Sequence, residues 1–219
     1  MTNVRVDDGC VDRISQGDIF REVECIEHVS EASGILEISK IVFPLVVVLT
    51  QDCDLMYDSP YRNSSESRQG QEQPRPRTQD KKLFSVLVAP LYNAEHVFRG
   101  EHLSELGLTM APIPQNSTFG KILIQNERPR YHYFDFPPDV RIVPSVADFK
   151  HYFSVNVNYL LAARPKLFVC RLSALFREDL SCRFAGYLAR IGLPEINVQD
   201  AAASQFPTVP TVTTTTSGF

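Results

Sequence analysis

The chain has 219 residues, 43% of them hydrophobic, with 14 Phe, 8 Tyr and a formal net charge of −4. That is enough for one real core, and the negative balance argues against a protein that coats nucleic acid over its whole surface. No apolar stretch approaches the roughly 20 residues of a membrane helix, so no membrane partner is expected.

Residues 1–13 read as a loose leader, and their polar, acidic start (MTNVRVDDGC) is no secretory signal. Cys10, Cys25, Cys53, Cys170 and Cys182 are odd in number and form no C-x-x-C pair. Reduced thiols in a cytoplasmic protein are expected, without a disulfide framework or a structural zinc site. Gly17-Asp18 opens a strand with Ile19, Val23 and Cys25 on one face and Glu22 and Glu24 on the other. Ser33-Gly34 is a turn, and Ile35–Leu49 gives one long strand or two successive ones. Pro44 inside that run implies an edge position or a bulge.

The run KIVFPLVVVLTQDCDL (40–55) then breaks from a β-branched strand into Thr50, Gln51, Asp52, Cys53 and Asp54. A strand that delivers a thiol between two carboxylates to its own end marks a candidate site. The flanking charges disfavour a thiolate, so reactive Cys53 requires a cation folded opposite it. Otherwise Cys53 is a small buried residue, with Asp52 or Asp54 capping a turn. Asp52, Asp54 and Asp58 lack the Gly and terminal Glu of a calcium loop, and no metal or cofactor is assigned.

Residues 58–82 are dominated by Ser, Gln, Arg and Pro and read as a solvated, mobile insertion. Six basic residues (Arg62, Arg68, Arg75, Arg77, Lys81, Lys82) face four acidic ones (Asp58, Glu66, Glu72, Asp80), so this segment is +2 and the rest of the chain −6. Leu83–Leu91 is the next strong strand. Ala94–Leu106 suits a short helix, and Phe119–Gln125 is ambiguous between helix and strand. Tyr131–Phe134 starts an extended piece. In it Arg130, His132 and Phe134 alternate with Tyr131 and Tyr133, a pattern that suits phosphate contact plus base stacking and equally a strand that is half core, half solvent. Phe149–Val157 reads as a strand, with Lys150 and His151 at its start as further binding candidates. Arg171–Ile191 reads as an amphipathic helix: Leu172, Leu175, Phe176, Leu180, Phe184, Tyr187, Leu188 and Ile191 recur at helical spacing, with Arg171, Arg177, Arg183 and Arg190 on the polar side. Gly192 and Pro194 end it. Residues 199–219 decay into a flexible tail, which leaves 14–198 as one domain.

Strands first and a helix last point to a mainly β fold with α, a small SH3-like β-barrel elaborated by a C-terminal amphipathic helix. Gly17-Asp18-Ile19, Pro44-Leu45-Val46-Val47-Val48 and Val86-Leu87-Val88-Ala89-Pro90-Leu91 resemble successive strands of the MazF/PemK-like toxins. The resemblance covers roughly residues 15–95 and implies an SH3-like barrel, commonly dimeric, many of whose members cleave single-stranded RNA without a metal. The family's ribonucleases carry Arg just before the second motif's proline and Thr or Ser after the third. Phe43 and Tyr92-Asn93 stand there in this chain. The resemblance therefore implies the fold and not the activity.

The preferred expectation is a binding or effector-associated module of a prokaryotic toxin or phage-defence system, taking a protein partner or a second copy. Its site centres on Thr50, Gln51, Asp52, Cys53 and Asp54, with Arg130, Tyr131, His132, Tyr133, Lys150 and His151 as polar partners. The alternative is a metal-independent endoribonuclease acting on single-stranded RNA, with His132 as general acid/base and Arg130 on the phosphate. A third is a hydrolase or transferase dependent on Cys53.

Overall fold

A computed structural model describes residues 4–7, 13–66 and 79–190. Met1–Ala189 forms one compact unit, and Arg190–Phe219 is a second, of which only Arg190 is among the described residues. In chain order the first unit runs β1 (Val6–Asp7), β2 (Asp18–Ala32), β3 (Ile35–Val48), α1 (Asp52–Glu66), β4 (Ser85–Asn93), α2 (Ala94–Arg99), α3 (Thr118–Ile124), β5 (Tyr131–Phe134), β6 (Ser145–Asp148), β7 (Phe153–Asn156), α4 (Val157–Leu167), β8 (Phe168–Leu172) and α5 (Ala174–Leu188). The strands form one mainly antiparallel sheet in the order β1-β8-β2-β3-β4-β6-β5, with β7 also on β4. It curls into a half-barrel with several helices, the β-barrel-plus-α class expected from the chain.

Why the apolar runs are so dense follows from burial on both sheet faces. Ile19, Val47 and Leu49 point into one core, which also takes Leu180 and Phe184 of α5. Phe20, Val46 and Val48 point into the other, which also takes Val157 and Leu160 of α4. A third, smaller cluster joins Val97 and Phe98 of α2, Leu123 of α3, Tyr131 and Val146.

β6 and β7 behave as one run along β4, interrupted once. From Leu91↔Ala147 to Val88↔Phe153, β4 moves three residues while the facing run moves six. The extra residues form a 3₁₀ turn, Phe149–His151. The single strand expected over Phe149–Val157 is thus a turn, a four-residue strand and the start of α4. Asp148 caps the turn by accepting the Lys150 N–H at 3.0 Å, and Asn156 caps α4 by accepting from Asn158 at 2.9 Å.

The expected helix over Arg171–Ile191 also starts later. Phe168–Leu172 is a strand, paired with β1 and β2. Leu175 and Leu188, placed on the apolar stripe by their spacing, are exposed, and Ile191 lies outside the described residues. Arg171 is not on a polar helix face: it pairs across the sheet with Asp18. Within the expected leader, Val4 is buried and Val6–Asp7 pairs with Leu172 and Arg171. Helix α1 runs into the expected insertion as far as Glu66, and buried Asp58 accepts the Leu83 N–H at 2.8 Å. Residues 67–78 of that insertion and the tail 199–219 lie outside the described residues.

Candidate functional site

The Thr50–Asp54 segment is the turn that carries β3 into α1. Thr50 Oγ1 accepts the Leu87 N–H at 2.7 Å, which ties the turn to β4. Asp52 and Asp54 fall in the first turn of α1, where negative charge meets the helix dipole. Arg13 grips Asp52 with both terminal nitrogens at 3.0 Å, the Gln16 N–H reaches it at 3.2 Å, and Arg177 stands 3.4 Å away. Burial works to raise the Asp52 carboxyl, and the Arg13 bonds and charge, with Arg177 and the Gln16 amide, overcome it and hold the group below its usual range.

Beneath this turn lies a fully buried ion cluster. Asp18 accepts from Arg164 Nη1 at 2.7 Å, Arg171 Nη2 at 3.1 Å and the Ser15 N–H at 2.9 Å, and Arg171 Nε binds its second oxygen. Arg171 also donates to the Arg13 carbonyl at 3.1 Å, which links the cluster to the Arg13–Asp52 grip. The carboxylates of Asp18 and Asp52 are thus spent on holding the fold together. Gln51, Cys53 and Asp54 are exposed. The Cys53 thiol has Gln51 Oε1 at 3.6 Å and Asp54 Oδ1 at 3.8 Å, and no cation or imidazole within hydrogen-bond reach among the described residues. Nothing there supplies the positive charge that a thiolate nucleophile requires.

β5 places its residues in alternation, with core on both sides. His132 is buried against Phe134 (4.5 Å between ring centroids) and Phe149 (6.4 Å). Its Nδ1 has no hydrogen-bond partner, and Asp179 comes no closer than 4.0 Å to Nε2. Burial, helped by Arg183, pushes the imidazole down to about 3, so it is neutral at pH 7. Tyr131 is buried in the third cluster, and Tyr133 packs at its margin while its backbone exchanges hydrogen bonds with the Asn126 side chain. His132 and Tyr131 serve the core and present no surface to a substrate.

Arg130 and His151 do meet, through a residue not singled out in the sequence. Buried Asp148 accepts from Arg130 Nε at 2.8 Å and from Nη2, and lies 3.5 Å from His151 Nδ1. Tyr92 Oη lies 3.1 Å from the same Nδ1, and the His102 ring stands edge-on to Tyr92 at 5.0 Å. Burial lowers both imidazoles, with the Asp148 charge opposing and Arg130 adding to the effect. Burial, then the Asp148 charge, raises the Tyr92 phenol well above its usual value. Lys150 is exposed on the turn. The Arg130 guanidinium is already neutralised by Asp148, and no Ser, Thr or Cys hydroxyl or thiol joins this network as a nucleophile among the described residues. No group of three or more His, Cys, Asp or Glu side chains able to hold a metal is present among them either.

The unsatisfied part of the surface is elsewhere, on the β2–β3 hairpin. β2 pairs with β8 only from Asp18 to Phe20, and β3 with β4 only from Val46 to Val48. Beyond Val23 and Phe43 the two strands continue as a ribbon in which no residue from Glu24 to Val42 is buried. The register pairs Ile26 with Lys40, Val29 with Ile38 and Glu31 with Leu36, after a one-residue bulge between Ile26 and His28. Directly opposed residues share a face, as do alternate residues along a strand. Ile26, Val29, Leu36, Ile38 and Val42 therefore line one face, each 48–62% exposed, together with Glu31 and the Lys40–Glu24 ion pair. His28, Ser30, Ala32, Ile35, Glu37 and Ser39 line the other. Alternation in ILEIS (35–39) signalled half of this stripe in the sequence, but the bulge that brings Val29 beside Ile38 left no signal.

At the foot of the ribbon the β2–β3 ladder skips Pro44, which has no N–H to give it, and Glu22 across from it takes φ +53°. The strands splay there around a cavity of about 350 Å³. Comparisons with family models, with curated proteins and with solved structures found no match for this chain.

Proposed function

We propose that this protein is a binding module that docks a protein partner on the exposed apolar face of its β2–β3 arm. The observation that carries this is the group Ile26, Val29, Leu36, Ile38 and Val42, five aliphatic side chains on one face, each about half exposed, beside the Lys40–Glu24 ion pair. Exposed apolar surface rimmed by charged residues marks interaction sites. A two-stranded ribbon is marginal alone in water, so a covering partner also stabilises the arm. Five half-exposed aliphatic side chains, at roughly 1 kcal/mol each on full burial, supply about 5 kcal/mol of gross docking energy.

The endoribonuclease and thiol-dependent alternatives gain no such support: His132 is a core residue, Arg130 is tied to Asp148, and Cys53 has no cation beside it. The toxin or phage-defence setting belongs to the proposal only through the MazF/PemK-like strand resemblance.

The test is selection of a displayed random-peptide library on the full chain, with binders re-measured on Ile38→Asp. Binders should lose at least tenfold in affinity on that variant while its melting temperature is unchanged. Equal binding to both proteins, or cleavage of single-stranded RNA by the purified chain in EDTA, contradicts the reading.

A further inference from the structure

The cavity and the free edge of β3 form one continuous surface. From Ile35 to Leu45 one edge of β3 has no strand partner among the described residues. The cavity opens where that edge leaves β4, and its wall includes Phe43 and Leu45 of β3, Tyr92 of β4, and Leu103 and Leu106 from the segment after α2. Val42 belongs both to this wall and to the apolar face of the arm. A volume of about 350 Å³ is at the small end for a ligand pocket and has room for one large side chain.

The net charge around it is negative. Glu22, Glu24, Glu27, Glu31 and Glu37 stand on the arm against Arg21 and Lys40, a formal charge of −3. Glu101 and Glu105 line the cavity, and no Lys or Arg is among the described residues that line it. A phosphate backbone meets net negative charge here, with Lys40 already paired to Glu24. A second copy of the arm brings the same negative charge to the contact.

We propose that the partner segment is an extended, basic and apolar peptide, which adds as a third strand to the free edge of β3 and seats one side chain in the cavity. This rests on the arm being the docking surface. Strand addition satisfies the unpaired backbone groups of the edge, and alternate side chains of the added strand extend the Ile38 face. Three strands with one apolar face form a stable ribbon where two do not. Lys or Arg on the partner complements the glutamates, which gives salt-sensitive association.

The experiment takes peptides of about twelve residues, the length needed to span the edge at ~3.3 Å per residue, selected from a displayed random library on the full chain. Selected sequences should be rich in Lys or Arg, alternate with apolar residues and lack central proline. Their binding should slow amide hydrogen exchange at residues 35–45, weaken several-fold from low to high salt, and weaken about fivefold on the exposed-site variant Glu101→Lys. Acidic or helix-forming binders, protection along residues 21–32 instead, or failure to enrich any binder overturns the proposal. Peptides lost on Ile38→Asp but giving no protection at 35–45 leave the docking surface standing and remove strand addition. Peptides that bind Ile38→Asp as tightly as the unmodified chain remove both.

Discussion

Replacing His132 by Leu separates a core residue from a catalytic one. The ring is buried between Phe134 and Phe149, and its Nδ1 is unpaired. Burial first, then Arg183, lowers its pKa from 6.5 to about 3. In the unfolded chain the same ring takes up a proton as pH falls through 6.5, whereas in the fold it does not until about 3. A folded pKa below the unfolded one gives stability that is fully present above 6.5 and lost progressively as pH falls toward 3. At 1.36 kcal/mol per pH unit, this one ring removes about 2 kcal/mol of stability between pH 7 and pH 5. His132→Leu should therefore cost less than about 1 kcal/mol at pH 7, because an unpaired buried polar atom disappears with the ring. It should also lose about 2 kcal/mol less than the unmodified chain between pH 7 and pH 5. Urea unfolding followed by circular dichroism at the two pH values measures both quantities. If the two proteins lose the same stability over that interval, His132 titrates as an open imidazole does, and its assignment to the core is refuted.

Asp18→Asn should be the most damaging single polar change, at about 3 kcal/mol, because it leaves Arg164 and Arg171 facing a neutral amide in a fully buried site; urea unfolding reads it. Asp52→Asn, at a site only partly screened from solvent, should cost about 1 kcal/mol at pH 7. The Asp52 carboxyl is held below its usual range, so that stability is present above pH 3.8 and lost as pH falls through the lower folded value. The stability gap between Asp52→Asn and the unmodified chain should close in strong acid. The exposed Cys53 thiol should react with iodoacetamide at pH 7 no faster than a free thiol; a rate tenfold higher would reveal an activating cation.

Much of the sheet was legible because its strands are buried on both faces. LVVVL and SVLVAPL read as buried strands, and Pro44 implied the irregularity found where the β2–β3 ladder skips it. The later elements were harder to read. Leu172 and Leu175 fit a helical stripe with Leu180, yet strand pairing with β1 and β2 claims Leu172 and leaves Leu175 in solvent. Arg171 looked like a solvent-facing helix residue because its partner, Asp18, is 153 positions away. The polar cluster was half visible for the same reason: Arg130 and His151 were named, while Asp148, which joins them, sat in the apolar context SVADF. In the arm, a one-residue bulge decides which side chains share a face, and a slip of one residue reverses every assignment. Thr50–Asp54 stood out for its charge. The structure assigns that charge to a buttress, with Asp52 held by Arg13 and Arg177.

The most direct measurement is calorimetric titration of one library-selected peptide into three proteins: the unmodified chain, Ile38→Asp and Ile35→Asp. Both isoleucines are more than half exposed, but they lie on opposite faces of the arm. If the apolar face is the docking surface, Ile38→Asp loses at least tenfold in affinity and Ile35→Asp binds as the unmodified chain does. Equal affinity for all three, or a loss confined to Ile35→Asp, contradicts it.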